Sequence, residues 1–225
     1  MLSSISKDRG VAQDGLYQFG NGGIYVDSIS DFDFAVISKE IEEIRKDFDK
    51  ASSATDQLIG QLENSFDIVK SRPSIERVVL KAAKEHNEMV NHWDKFKINF
   101  CEDDRKKAAL QLGACWINFQ QKYEYQPIHD HSGIYSFILF CDIPFLLDEE
   151  DKIAPGKNAN DRVSGRVNFH YVTYNGKIAA MTLPVEKGWE KKLIVFPAEL
   201  MHSVAPFYST DKYRITISGN LVPVL

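Results

Sequence analysis

The feature that most restricts the fold is a change of hydrophobic period near Ala108. Upstream, apolar residues recur every three or four positions. Downstream they alternate or gather in short solid runs, the signature of strands. Candidate strands are Ala109–Phe119, Tyr135–Asp142, Arg166–Thr173, Lys177–Leu183, Lys192–Phe196, His202–Phe207 and Arg214–Leu221. Asn175-Gly176 lies between two alternating segments and predicts a tight hairpin. Pro155-Gly156 and Glu186-Lys187-Gly188 mark further turns, and the acidic run Asp148-Glu149-Glu150-Asp151 reads as a solvated loop.

Before the change of period, Phe34, Ile37, Ile41, Ile44 and Phe48 line one helical face, predicting a helix over Asp31–Lys50 capped by Ser30 or Asp31. Its opposite face, with Lys39, Glu40, Glu42, Glu43, Arg45 and Lys46, is expected in solvent. A second helix is predicted over Thr55–Val69 and a third from Pro73 to Phe100, proline being tolerated in a first turn. His86 and His92 on the third do not share a face and are expected to be structural. The glycine-rich residues before Asp31 suggest short strands or a hairpin. Helices followed by antiparallel strands give an α+β chain, a β-sandwich or barrel backed by helices. The expected organisation is a single domain over residues 1–225, with 1–107 a mostly helical support and 108–225 the barrel.

A net charge of −5 argues against a general nucleic-acid binder, which needs a basic surface. Cys101, Cys115 and Cys141 form no paired motif and suggest reduced thiols in a cytosolic protein. No apolar run is long enough to cross a bilayer and the N-terminus lacks a signal-peptide core. The expectation is a soluble cytoplasmic protein with no membrane partner.

The chemistry concentrates at Gln126-Pro127-Ile128-His129-Asp130-His131-Ser132-Gly133. In an extended segment residues two apart point the same way, so His129 and His131 can reach one metal while Asp130 points away. Imidazole suits iron, zinc, copper or nickel. His202, after the apolar run Leu193–Phe196, is the candidate third ligand; His170, inside a strand, reads as packing. Arg214, Thr216, Ser218 and Asn220 share one face of the last strand. A guanidinium on an inner barrel face calls for an anion, supplied by a ligand or by a protein carboxylate.

These segments resemble the Fe(II)- and 2-oxoglutarate-dependent oxygenases, particularly a prolyl hydroxylase-like branch typical of phages and marine bacteria. The matching pieces are Trp116-Ile117-Asn118, Tyr125 through Gly133, Ile194-Val195-Phe196-Pro197 leading to His202-Ser203-Val204, and Arg214 through Asn220. The resemblance implies a double-stranded β-helix, a jelly-roll or cupin-like barrel. It implies Fe(II) held by His129 and His202, with 2-oxoglutarate and O2 as co-substrates. It also implies that Arg214 holds the far carboxylate of 2-oxoglutarate, helped by Thr216 or Ser218, with Asn118 and Tyr125 as candidates for the same pocket. The activity implied is hydroxylation of a peptide or protein residue or a small molecule.

This chain departs from the family at one position: His131 stands where a carboxylate ligand is usual. His131 can ligate as a third histidine, Asp130 can turn inward, or the position can be left for a halide. Two other classes fit the same residues. One is a cupin-like or zinc hydrolytic enzyme in which the metal activates water. The other is a non-catalytic barrel serving as a binding module. The Gly-rich N-terminus and the loop 147–163 are candidates for a lid over the site.

Overall fold

The computed structural model describes residues 13–20 and 22–225. Residues 1–12, which carry part of the expected N-terminal lid, lie outside this range. Two antiparallel sheets face each other. The larger runs in the order β1 (Gly15–Phe19), β2 (Gly22–Ser28), β9 (Lys192–Pro197), β6 (Tyr135–Asp142), β11 (Arg214–Val224), β4 (Ala109–Gln120) and β3 (Ser65–Asp67). The smaller is β5 (Gln126–His129), β10 (His202–Val204), β7 (Val167–Val172) and β8 (Ile178–Leu183). Helices α1 (Asp31–Lys46) and α2 (Arg72–Val90) are followed by the short α3 (His92–Lys97), α4 (Glu102–Lys107) and, in the barrel half, α5 (Leu147–Ile153).

The alternation of strand side chains builds two cores. From β6, Phe137, Leu139 and Cys141 face the helices, where they meet Ile37, Ile41, Ile75 and Val79. Ile138 and Phe140 face the space between the sheets with Phe169, Ile194, Phe196 and Phe207. Both faces of β6 and β9 are therefore covered, which is why those segments read as solid apolar runs. β11 divides differently. Ile215 and Ile217 join the helix-side core. The side chains that alternate with them, from Arg214 to Asn220, belong to the wall between the sheets.

Several expectations need correction. Thr55–Val69 is not a helix: one 3-10 turn covers Thr55–Gln57, and Ser65–Asp67 is β3. Leu62 and Phe66 are buried, but from irregular backbone and a strand. The third helix breaks at Asn91, whose φ of 56° ends α2 in a left-handed turn. The acidic run is not a solvated loop, because it lies in α5. Glu150 is fully buried and accepts hydrogen bonds from the N–H groups of Tyr208 and Ser209. Asp151 pairs with Arg166 at 2.8 Å. The segment before Asp31, where strands were only suggested, forms the β1–β2 hairpin and widens the large sheet.

Glu40 is the most instructive miss, since the helical pattern places it in solvent and the fold buries it. Its carboxylate accepts from the N–H groups of Val69, Lys70 and Ser71 and from the Ser71 hydroxyl, at 2.6–2.9 Å. Burial opposes its ionisation, yet the Ser71 hydroxyl and these N–H donors hold the carboxyl below its ordinary range. Glu40→Ala is expected to destabilise the fold by roughly 2–4 kcal/mol, because several buried donors lose their acceptor together. Urea unfolding of the two proteins measures this directly.

His86 is buried under the large sheet, Nε2 lying 3.2 Å from the Gly23 carbonyl and Nδ1 3.4 Å from the Tyr135 hydroxyl. Burial pushes its pKa down to about 4. The unfolded chain takes up this proton near the ordinary histidine value, so the unfolded state binds more protons between the two values. Stability from this group is complete above about pH 6.5 and falls as pH drops toward 4, by up to about 3 kcal/mol. His86→Gln should show a correspondingly shallower loss of unfolding free energy over this window.

Candidate metal centre

β5 is the edge strand of the small sheet, so Pro127 can sit in it without breaking a ladder. Its one partner strand is β10, and the register sets His129 directly opposite His202. His131, two residues past His129, is fixed by its backbone: its N–H donates to the Ala198 carbonyl at 3.0 Å. The chain then turns at Gly133, whose φ is 106° and where a Cβ would come within 2.8 Å of the Leu221 carbonyl oxygen. Only glycine accommodates both. Three histidines from an edge strand, a turn and the neighbouring strand thus converge.

Ring centroids lie 4.3 Å apart for His129–His202 and 5.0 Å for the two pairs with His131. One ring nitrogen from each falls within 4.8 Å of the others. Among the described residues this is the one cluster of three or more potential ligand side chains able to share an ion. His129 Nδ1 lies 2.7 Å from the Pro127 carbonyl and His202 Nδ1 3.0 Å from that of Leu200. A carbonyl accepts, so each Nδ1 carries the proton and each Nε2 presents its lone pair. Burial holds His131 at about 4 and His202 at about 3, with the His129 ring adding to both shifts. Both rings are neutral, as metal ligation requires. Phe169 and Phe196 pack on the His202 ring at 5.9 and 5.0 Å and keep water from that side. Asp130 is exposed and is not in the cluster. The donor set therefore fits a first-row transition metal through three imidazoles.

Arg214 begins β11 opposite Gln120 of β4. It is 1% exposed. Gln120 Oε1 accepts from its Nε at 3.0 Å and from its Nη2 at 2.6 Å. The Gly165 and Ala205 carbonyls take further N–H groups at 2.8 and 3.0 Å. Its guanidinium lies 5.9 and 5.7 Å from the centres of the Phe145 and Phe207 rings. Burial lowers its pKa to about 9, which leaves it a cation at neutral pH. Among the described residues no carboxylate forms a direct salt bridge with it. The buried Glu150 carboxylate acts on the guanidinium through its charge without contacting it.

Arg214, Thr216, Ser218, Asn118 and Gln120 line one narrow cavity of about 20 Å³. Asn118 accepts from the Ser65 hydroxyl at 2.8 Å. A larger cavity, about 610 Å³, opens on His129 and His131 and is also lined by Trp116, Asn220, Asp67 and Arg72. Tyr125 lines neither: it is 37% exposed, and its carbonyl accepts from the Gln61 N–H. Gln120 is absent from the sequence reading although β4 alternation places it on the face of Trp116 and Asn118. Asp67 carried no signal because its neighbourhood was read as helix, and Arg72 was read only as part of the break before the third helix.

A family model described as "Putative 2OG-Fe(II) oxygenase" matches residues 114–220, a span that contains all three histidines and Arg214. This match supports the Fe(II)- and 2-oxoglutarate-dependent oxygenase superfamily. Fe(II) is the metal of this family and 2-oxoglutarate its co-substrate, and the protein is an oxygenase. Among solved structures it resembles a prolyl-4-hydroxylase of Pseudomonas putida, at 11% identity and a TM-score of 0.52, over 88% of this chain and 91% of that one. It also resembles SnoN, the non-heme alpha ketoglutarate dependent epimerase of nogalamycin biosynthesis, at 11% identity and a TM-score of 0.52, over 90% and 77%. A third, EvdMO1, gives 11% identity and a TM-score of 0.53 with 47% of that chain covered. At this identity the likeness establishes the shared barrel and not a substrate. No curated protein matches the sequence. These matches reach the superfamily and do not distinguish a branch within it. No described helix is long and apolar enough to cross a membrane.

Proposed function

We propose that His129, His131 and His202 hold the iron through their Nε2 atoms, that Arg214 anchors the far carboxylate of 2-oxoglutarate, and that the enzyme hydroxylates a small prime substrate. The observation that carries this reading is the buried guanidinium of Arg214, in a cavity also lined by Gln126 and Val204 of the two strands that carry His129 and His202, with no direct salt bridge to a carboxylate among the described residues. A diacid reaching from the histidines to Arg214 supplies the missing anion. When bound, iron and 2-oxoglutarate supply O2-dependent oxidation, with succinate and carbon dioxide as co-products.

The chain's own residues do the rest. The carbonyls of Pro127 and Leu200 fix the tautomers of His129 and His202 and aim their lone pairs. Gln120 grips the guanidinium at two points and sets its fork, while Thr216 and Ser218 offer hydroxyls along the same wall. The cavity beside Arg214 is narrow, so a five-carbon diacid seats there only as the lining side chains turn aside. Three imidazoles bring no negative charge, so the carboxylates of the co-substrate balance the metal in place of a ligand aspartate.

Anaerobic titration of the metal-free protein with Fe(II) and then 2-oxoglutarate tests this. A visible charge-transfer band that saturates with 2-oxoglutarate is expected. Bound iron without such a band would overturn the reading and turn attention to a metal that activates water.

A further inference from the structure

The larger cavity carries polar groups that neither iron nor 2-oxoglutarate uses. Trp116 is 5% exposed, its ring is 5.7 Å from that of His131, and its buried Nε1–H has no acceptor. A buried donor left without an acceptor is unfavourable, so this position calls for one. Asn220 is 7% exposed and its Oδ1 is taken by the Ser136 hydroxyl at 2.8 Å, which leaves the amide N–H groups for the cavity.

Asp67 and Arg72 line the same cavity from either end of the segment that Glu40 pins. Arg72 Nη2 donates to the carbonyls of Leu112 and Gly113, and no carboxylate pairs with the guanidinium among the described residues. Asp67 accepts from the Ser52 hydroxyl at 2.7 Å and likewise has no cationic partner in that range. Ile59 and Val69 are exposed beside them, at 58% and 67%.

These features narrow the ligand. An apolar molecule would bury both charges and leave the Trp116 and Asn220 donors unmet. A simple anion suits Arg72 but meets Asp67, and a simple cation does the reverse. A zwitterion that carries an additional acceptor oxygen answers all four groups, and the volume is that of a small-molecule pocket. We propose that this cavity is the prime-substrate site and that it takes an amide-bearing amino acid or a dipeptide. Its carboxylate meets Arg72, its ammonium Asp67 and its amide oxygen the Trp116 and Asn220 donors.

That this ligand is hydroxylated rests on the oxygenase reading above; that it binds does not. In the reaction a C–H bond of the ligand is replaced by C–OH. One atom of O2 enters that hydroxyl, the other enters succinate, and carbon dioxide leaves from 2-oxoglutarate.

Calorimetry on the full chain tests the binding, first without metal and then with Fe(II) and 2-oxoglutarate under argon. The probes are glutamine and a dipeptide panel, each beside its N-acetylated and its C-amidated form. The free zwitterions should bind at least tenfold more tightly than either blocked form. Arg72→Gln should erase the penalty for amidation, and Asp67→Asn that for acetylation. Arg72→Lys, which keeps the charge, should retain the preference and so separates recognition from misfolding. The inference fails if no probe binds the parent protein, if blocked forms bind equally, or if each variant weakens all forms alike. A chelate band with no probe binding overturns this inference alone. Probe binding with the stated variant pattern, but no band, supports the site and overturns the oxygenase reading beneath it.

Discussion

His202→Gln is expected to lower Fe(II) affinity at least ~100-fold and to abolish 2-oxoglutarate turnover, a loss beyond the 10–100-fold that follows from removing a ligand's hydrogen-bond partner alone. The case rests on where His202 sits. It faces His129 across the β5–β10 register, and its Nδ1 is committed to the Leu200 carbonyl. Its ring is packed between Phe169 and Phe196, so no neighbouring group can take its place. Glutamine keeps much of the volume, which separates ligation from packing. Metal content after dialysis and thermal unfolding of the metal-free protein are the paired readouts. Content should collapse while the metal-free melting temperature changes little. Equal metal content in variant and parent would remove His202 from the site.

His131 gives the complementary test. The resemblance implies a carboxylate at its position, and the geometry places its ring 5.0 Å from each of the other two. If it ligates, His131→Ala should weaken iron binding, and His131→Asp should restore it by putting an anionic ligand there. Weak binding in the aspartate variant alone would mean that the turn at Gly133 admits only the longer imidazole.

The site was legible in the sequence because its geometry is local. Residues two apart in an extended segment share a side, which brought His129 and His131 together, and alternation along β11 grouped Arg214 with Thr216 and Ser218. Pairing His202 with them required only that one further histidine stand at a strand edge. What stayed hidden depends on contacts far apart in sequence. Gln120 matters through Arg214, 94 residues away, and Glu40 through a segment some 30 residues on. Thr55–Val69 carries helical spacing at Leu58, Leu62 and Phe66, yet β4 captures Ser65–Asp67 as an edge strand, and tertiary pairing overrides the local pattern. The same error concealed Asp67, because a helix there would have pointed it elsewhere. The acidic run of α5 misled for a related reason: its charges are satisfied by Arg166 and by the N–H groups of Tyr208 and Ser209, none of which is a neighbour in sequence.

The second large effect is expected at Arg214 and its partner. Arg214→Met should weaken 2-oxoglutarate about 100-fold, since two charge-assisted hydrogen bonds are each worth about 1.5–3 kcal/mol before losses. Iron binding to the metal-free protein should persist. Gln120→Glu is the sharper experiment, because it predicts opposite signs for two properties. Gln120 Oε1 already lies 3.0 and 2.6 Å from two nitrogens of the guanidinium. A carboxylate there would pair with the buried cation and relieve its unpaired burial, so the metal-free protein should unfold at higher urea concentration. The same carboxylate occupies the charge that the co-substrate needs, so the affinity for 2-oxoglutarate should fall at least tenfold by titration of the chelate band. If Gln120 served packing alone, the substitution would lower stability and leave affinity in step with it. A neutral amide at this position keeps Arg214 oriented without cancelling it. The fold holds this cation without a direct carboxylate contact, and on the proposed reading the co-substrate is the anion that meets it.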